Sequence, residues 1–112
     1  MEIREERAGE IVILDLRGRL DSTTSGKFEK KLAALFDGGN KRIIADLSQL
    51  DYISSGGLRA FLVGAKRASR EDGTLMLCSM QNQVKEVFDV AGFSPLFPTY
   101  ETREAALAGS RT

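Results

Sequence analysis

Two hydroxyls and two glycines stand side by side in this chain, at Ser54, Ser55, Gly56 and Gly57. The apolar residues that follow recur at intervals of three and four, which places them on one face of a helix. They are Leu58, Phe61, Leu62, Ala65 and Ala68. The serines therefore stand at a predicted helix start, where backbone N–H groups lack partners and the peptide dipoles add partial positive charge. A serine hydroxyl can cap these groups, and a phosphate can use them.

The glycines give this stretch a second property. Without side chains, Gly56 and Gly57 permit a tight turn and the close approach of another backbone segment. Two interpretations follow from the local pattern. One is an ordinary serine cap followed by a flexible turn, and the other is a functional site at which the helix start meets a phosphate group.

The composition limits the class of protein. At 112 residues the chain can bury one hydrophobic core without metals or disulfides, so we expect a single domain over residues 1–112. The 16 basic and 16 acidic residues are mixed along the chain, which argues against nucleic acid or an anionic membrane as a partner. No apolar run reaches bilayer-spanning length and the N-terminus is charged, so we expect a cytoplasmic protein without membrane insertion.

The chain has one cysteine and no histidine. Cys78 lies in the apolar run 75–78, so we expect a buried core thiol. The lack of histidine excludes Ser-His-Asp and Cys-His catalytic sites and histidine metal sites. A Ser-Lys hydrolase is disfavoured because no lysine stands at motif spacing from Ser54 or Ser55. We therefore predict no catalytic residue, no metal and no cofactor.

Strands and helices are predicted from the apolar periodicity along the chain. Short β-branched or alternating runs predict strands at 3–7, 11–17, 42–47 and 74–78, with an edge strand at 96–97 between two prolines. Helical spacing of apolar residues predicts helices around 28–36, 58–68, 84–91 and 102–108, the last capped by Thr102. A hairpin turn is predicted around Gly9.

The third strand, the central helix and the fourth strand make a βαβ unit. Such crossovers are right-handed and join parallel strands. In open sheets of this kind, sites gather beyond the carboxyl ends of the strands. We therefore expect Asp46, Ser54 and Ser55 to lie together at that edge of the sheet.

Four segments form a recognisable set. They are Leu20-Asp21 after a glycine, Asp46-Leu47-Ser48, the run YISSGGL at 52–58 and the run VKEVFDVAGF at 84–93. Together they resemble the STAS domain of bacterial anti-sigma factor antagonists, and the likeness spans nearly the whole chain. The resemblance implies an α/β fold with a small mixed β-sheet of four to five strands and about four helices mostly on one face.

The resemblance also implies a switch protein in place of an enzyme. In that family a serine at the start of the central helix is phosphorylated by an anti-sigma factor that is itself a serine kinase. A PP2C-type phosphatase removes the phosphate. The unphosphorylated antagonist binds the anti-sigma factor and thereby frees a sigma factor, so the implied partners are these two proteins and not a nucleic acid.

The family pattern Asp-Ser-Ser/Thr-Gly-Leu falls on residues 54–58, which makes Ser55 the matching phosphoacceptor. This chain departs from the pattern by carrying Ser54 where the family has aspartate and Gly56 after the acceptor. The predicted neighbours of the switch site are Asp21, Asp46, Ser54, Gly56 and Gly57. Two of them have structural alternatives, because Asp21 can cap the first helix and Asp46 can be a turn residue at a strand end.

Two other functions remain open from the sequence. The first is a STAS module that is not phosphorylated and assembles into a larger complex, such as a sensory scaffold or a lipid-transport ATPase. The second is a nucleotide-binding or hydrolytic domain that uses Gly56 and Gly57 as a phosphate cradle. This second function lacks a P-loop lysine-serine pair, because Gly57 is followed by Leu58 and Arg59.

Overall fold

The chain folds into a sheet with helices on both faces. A computed structural model describes residues 1–110. The elements in order are β1 (Glu2–Ala8), β2 (Ile11–Leu20), α1 (Ser25–Asp37), β3 (Arg42–Ile53), α2 (Ser55–Arg70), β4 (Thr74–Cys78), α3 (Asn82–Val90), a 3₁₀ turn (Ser94–Leu96), β5 (Thr99–Tyr100) and α4 (Arg103–Ser110). The sheet order is β1-β2-β3-β4-β5. Only β1 is antiparallel to its neighbour, which confirms the predicted mixed sheet for this part of the chain.

The two faces of the sheet carry different layers. Alternate strand residues such as Val12, Ala45 and Leu77 face α1, α2 and α3 in the main core. The other set, including Ile44 and Met76, packs against α4. The helices therefore lie mostly on one face, as predicted, because strand side chains alternate between faces and the longer apolar helices cover one of them.

Four phenylalanines pack against one another and join the helices of the main layer. They are Phe28 of α1, Phe61 of α2, Phe88 of α3 and Phe97 before β5. Their ring centroids lie 4.8 to 6.0 Å apart in tilted or edge-on pairs. Phe61 contacts the other three, so the central helix is held from several sides.

Several predicted boundaries are confirmed. β1 and β2 form the expected hairpin, with Gly9 in the left-handed region at φ +63°. Strand β4 matches the prediction, and Cys78 at its end is fully buried. Gly39 follows α1 with φ +89°, a backbone geometry in which glycine is favoured. The Thr102 hydroxyl accepts a hydrogen bond from the Ala105 N–H at 3.0 Å and caps α4.

Two predicted strand ends were wrong. β2 continues past residue 17 to Leu20, and β3 continues past residue 47 to Ile53. The two extensions pair with each other through register shifts, and their last pair is Leu20 with Ile53. These bulges interrupt the strict alternation by which strands are predicted, so the local pattern over residues 48–53 favours a loop.

The predicted edge strand at 96–97 was also wrong. Ser94–Leu96 forms a single 3₁₀ turn, and the strand comes later, at Thr99–Tyr100. Pro95 stands in the first turn of this short helix, where a missing backbone N–H costs little. Phe97 is drawn into the core instead of lying on a sheet edge.

Candidate functional site

The site lies where β2 and β3 end together and α2 begins. Leu20 and Ile53 are the last paired residues of the two strands. The Ser54 N–H donates to the Leu20 carbonyl at 3.0 Å, one residue beyond that pair. The start of α2 is therefore tied to the carboxyl edge of the sheet, where parallel sheets commonly place their sites.

Ser54 is the N-cap of α2. Its backbone is extended (φ −100°, ψ 177°), and its Oγ accepts a hydrogen bond from the Gly57 N–H at 3.3 Å. The Ser54 carbonyl accepts from the Leu58 N–H at 2.9 Å, which is the first hydrogen bond of the helix. The capping role that the sequence left open for either serine therefore belongs to Ser54.

Ser55 is the first residue of α2 and points to solvent. Its hydroxyl makes no hydrogen bond to any residue in the described part of the chain. No acidic side chain stands in the first turn of α2. A nucleophilic hydroxyl that is accessible and free, beside the positive end of a 16-residue helix, can accept a phosphate.

The two glycines bring other backbone segments against the helix start. A Cβ on Gly57 would lie 2.7 Å from the Leu20 carbonyl oxygen and 2.7 Å from a methylene of Ile53. A Cβ on Gly56 would lie 3.2 Å from the Cα of Ser22. Both glycines therefore lie close to a neighbouring backbone segment, which their lack of a side chain permits.

Asp21 organises the loop that follows β2. Its Oδ1 accepts hydrogen bonds from the Thr23 hydroxyl at 2.7 Å, the Thr23 N–H at 3.0 Å and the Thr24 N–H at 3.2 Å. The hydrogen bond from the Thr23 hydroxyl is the main cause that lowers the pKa of the Asp21 carboxyl. The structure thus places Asp21 in a turn before α1, and its neighbour Ser22 brings that turn against Gly56.

Asp46 does not join the other predicted residues. It lies within β3 and not beyond its end, because the strand continues to Ile53. The side chain is 5% exposed and accepts from the Arg103 Nε at 2.9 Å and from the Ser48 N–H at 3.0 Å. Its placement among the switch-site neighbours is corrected, since Asp46 faces α4 on the opposite side of the sheet from α2.

A groove opens beside Ser55 between α2 and α3. We call it the Ser55 groove; its volume is about 390 Å³, and Ser55, Leu58, Gln83, Glu86, Val87, Val90 and Ala91 line it. Val90 is 83% exposed, which is high for an aliphatic side chain. An accessible hydroxyl at the edge of a mainly aliphatic groove is suited to a protein contact.

The contribution of α3 to this groove was not predicted from the sequence. Val84, Val87 and Phe88 account for the buried and half-buried face of that helix, whereas Val90 lies off it. An aliphatic residue on the polar side of an amphipathic helix was the available signal. Arg19 and Tyr52 were also missed: they are register partners in the strand extensions, and the guanidinium lies 4.1 Å from the ring centre.

Three further features bear on the chemistry of this part of the chain: clusters of metal-ligating side chains, the Cys78 thiol and the apolar character of the helices. Within residues 1–110, no three His, Cys, Asp or Glu side chains come together as a group able to hold a metal ion. Burial, with a smaller effect of Asp46, raises the pKa of the Cys78 thiol to about 11, so it stays protonated at neutral pH. Among the described helices, none combines the length and apolar character needed to cross a bilayer.

Comparisons with known proteins agree with this architecture. The STAS domain family model matches residues 2–106. A Bordetella bronchiseptica protein named as the anti-sigma factor antagonist BtrV is 39% identical over 112 residues, covering 100% of this chain and 97% of the relative.

Solved structures give the same fold. A Thermotoga maritima protein named as an anti-sigma factor antagonist has a TM-score of 0.94 at 22% identity, covering 98% of this chain and 95% of that one. The Bacillus cell fate determinant SpoIIAA in its phosphorylated form has a TM-score of 0.77 at 23% identity, covering 98% and 100%. At these identities the two structures establish the fold.

Proposed function

This chain belongs to the STAS domain family, and we propose that it is an anti-sigma factor antagonist switched by phosphorylation of Ser55. The observation that carries the proposal is the difference between the two serines. Ser54 is occupied as a helix cap, whereas Ser55 is exposed, unbonded within residues 1–110 and open to the Ser55 groove. The antagonist therefore acts by binding a protein partner, and the phosphorylation state of Ser55 controls that binding.

The unphosphorylated form binds an anti-sigma factor through the Ser55 groove. Leu58, Val87 and Val90 supply the apolar contact, and the Ser55 hydroxyl lies at its edge. Occupying the anti-sigma factor in this way releases its sigma factor. The anti-sigma factor is a serine kinase, a PP2C-type phosphatase reverses the modification, and these reactions take place in the cytoplasm.

Phosphorylation acts on the interface and not on the fold. It adds roughly −1.5 to −2 charges, and the dipole and N–H groups at the start of α2 tolerate them. SpoIIAA, which shares this fold, has a phosphorylated form. Burying an imperfectly paired dianion against a partner costs several kcal/mol, and each ~1.4 kcal/mol weakens binding about tenfold. The modified protein therefore stays folded and releases its partner.

The experiment is phosphorylation by the anti-sigma factor kinase of the same organism with ATP, followed by mass spectrometry. We expect one phosphate, located on Ser55. The matched control is Ser54→Ala, which keeps the acceptor and is still modified, whereas Ser55→Ala is not. Phosphate on Ser54, or no phosphate on the wild-type protein, contradicts the proposal.

A binding measurement separates this switch from a STAS scaffold that is not phosphorylated. For the switch, Ser55→Ala binds the anti-sigma factor like the wild type, and the enzymatically phosphorylated protein binds at least about tenfold more weakly. If phosphorylated and unphosphorylated proteins bind with equal affinity, the scaffold is the better description. Isothermal titration calorimetry with both forms measures this difference.

A further inference from the structure

One exposed face of α2 continues from Ser55 along the whole helix. We call it the α2 basic face, consisting of Arg59, Val63, Lys66 and Arg70. These residues follow Ser55 at steps of four, four, three and four, which is the spacing of one helical face, and all of them are exposed. From Ser55 to Arg70 the face is about 22 Å long, at about 1.5 Å per residue.

The three cations of this face are not engaged in ion pairs within residues 1–110. Arg59, Lys66 and Arg70 form no ion pair or side-chain hydrogen bond with the rest of residues 1–110. Arg67, on the adjacent row of α2, differs because it is paired with Asp37 of α1 and with Glu71. The helix itself contains no acidic residue. A protein with balanced formal charge thus carries a strip of cations without ion pairs beside its candidate switch residue. One carboxylate lies nearby, because Glu29 of α1 lines the same hollow as Val63 and Arg70.

An apolar residue stands in the middle of these charges. Val63 is 47% exposed and borders two surface hollows, one towards α1 with Leu32 and Ala33 and one along α2 with Lys66 and Arg70. An exposed aliphatic centre within a charged rim is typical of protein–protein contact surfaces. Nucleic acid binding, by contrast, generally needs a net basic domain, and here basic and acidic residues are equal in number.

The Ser55 groove alone is small for a stable complex. Specific interfaces bury about 800 Å² on each partner, and the groove is formed by the tip of one helix and one side of another. Extension of the contact along the exposed length of α2 supplies the missing area. The charge of that face then dictates the chemistry of whatever covers it.

We propose that the α2 basic face is the second part of the docking surface, and that it is covered by a carboxylate-rich surface of the anti-sigma factor. This inference rests on the proposed function and adds the chemistry of the partner. Asp and Glu side chains of the anti-sigma factor pair with Arg59, Lys66 and Arg70, while an apolar side chain contacts Val63. These charges accelerate association and set the orientation in which Ser55 meets the kinase active site.

The test compares two double charge reversals of equal charge change. Arg59→Glu with Lys66→Glu alters the α2 basic face. Lys41→Glu with Arg42→Glu is the control, because both residues are exposed and without ion pairs at the start of β3, away from Ser55. Circular dichroism and urea unfolding first establish that both variants are folded. Binding to the anti-sigma factor kinase is then measured by surface plasmon resonance at several salt concentrations.

We expect the α2 variant to bind at least about tenfold more weakly, mainly through slower association, while the control stays within about threefold. Wild-type affinity falls with salt, and the α2 variant loses much of that dependence. Equal binding of wild type and α2 variant overturns this inference and leaves the proposed function standing. Failure of the wild type to bind overturns both.

A second experiment tests whether the α2 basic face binds other anionic surfaces. Duplex DNA and phosphatidylserine vesicles are offered to the wild type and to the α2 variant at physiological salt. We expect neither to be bound appreciably. Binding of either by the wild type that is lost in the α2 variant, with kinase affinity unchanged, overturns the inference in favour of that surface.

Discussion

Ser54 and Ser55 are chemically identical and adjacent, yet the fold assigns them different tasks. Ser54 retains extended backbone, which directs its Oγ to the Gly57 N–H. Ser55 has already entered the helix and faces solvent. This division follows from where the helix begins, because an N-cap side chain turns back towards its own first turn while the next residue turns outward.

The first prediction concerns that division. Ser54→Ala should lower the free energy of unfolding by about 0.5–1 kcal/mol, since it removes a long capping hydrogen bond. Ser55→Ala should change it by less than about 0.5 kcal/mol, since the hydroxyl contacts solvent. Urea unfolding of both variants measures the difference. Equal stability of the two would show that Ser54 does not cap α2.

The second prediction concerns the tight contact at Gly57. A Cβ there meets the Leu20 carbonyl oxygen and Ile53 at 2.7 Å each, and the backbone oxygen cannot rotate away. Gly57→Ala should therefore destabilise the protein by about 1–3 kcal/mol, or more if β2 must shift.

Gly26 provides the matched control, because it is also near a helix start but has nothing within 4 Å of an added Cβ. Gly26→Ala should be neutral or stabilising by up to about 1 kcal/mol. Thermal unfolding of the two alanine variants compares them directly. A Gly57 variant as stable as the Gly26 variant would mean that α2 does not approach β2 this closely.

Helix α4 depends on its contacts with the sheet. It has eight residues, fewer than an isolated helix needs to be stable in water. The Arg103 guanidinium joins it to the sheet through the Asp46 Oδ2 at 2.9 Å and the Glu6 Oε2 at 2.6 Å. Ala106 supplies a buried apolar contact on the same side.

The third prediction tests this attachment. Arg103→Met should destabilise the fold by about 1–3 kcal/mol, because it leaves the buried Asp46 carboxylate without its counter-charge. The lower part of that range reflects the partial exposure of Arg103, whose side chain is 28% accessible. In the Arg103→Met variant, hydrogen exchange of the α4 amides should accelerate relative to the wild type by more than that of the α2 amides.

Arg4→Met is the control for this substitution. It breaks an ion pair with Glu2 in which both side chains are 55% exposed, so the expected loss of stability is much smaller than for Arg103→Met. If the Arg103 and Arg4 variants lose the same stability, the buried pair does not anchor α4.

Elements with a regular apolar periodicity could be located from the sequence, whereas segments in which that periodicity is interrupted could not. Helix α2 and strand β4 have clean spacing, and their positions follow from it. The extensions of β2 and β3 are bulged, so each depends on the other strand for its register. That pairing is a long-range contact, which local spacing does not report.

For the whole molecule, charge is balanced in number and uneven in arrangement. Some carboxylates are held by local donors: the Arg4 guanidinium lowers the pKa of Glu2, and the Lys31 ammonium lowers the pKa of Glu5. The Thr23 hydroxyl does the same for Asp21. In each case folding favours the ionised carboxylate.

The fourth prediction is the resulting pH dependence. A carboxyl whose folded pKa is lowered stabilises the fold above its ordinary pKa and loses that contribution as pH falls through the lowered value. Stability should therefore decline from about pH 4.5 downward. Urea unfolding at a series of pH values measures the slope.

Glu5→Gln should reduce that acid slope, because it removes one of the three carboxyl groups. Glu101→Gln is the control, since Glu101 is exposed and forms no ion pair or side-chain hydrogen bond within residues 1–110. An acid slope equally reduced in both variants would contradict the assigned role of the Glu5 contact with Lys31.

The sequence by itself determined the succession of strands and helices, the helix start at the paired serines and the presence beside them of glycines that permit close backbone approach. These are local properties, set by spacing, hydroxyl chemistry and the lack of a Cβ. Only the tertiary structure showed that Ser54 is the cap of α2, that Asp46 lies on the opposite face of the sheet and that Val90 lies beside Ser55. Those outcomes depend on strand register and helix packing, which join residues far apart in the chain.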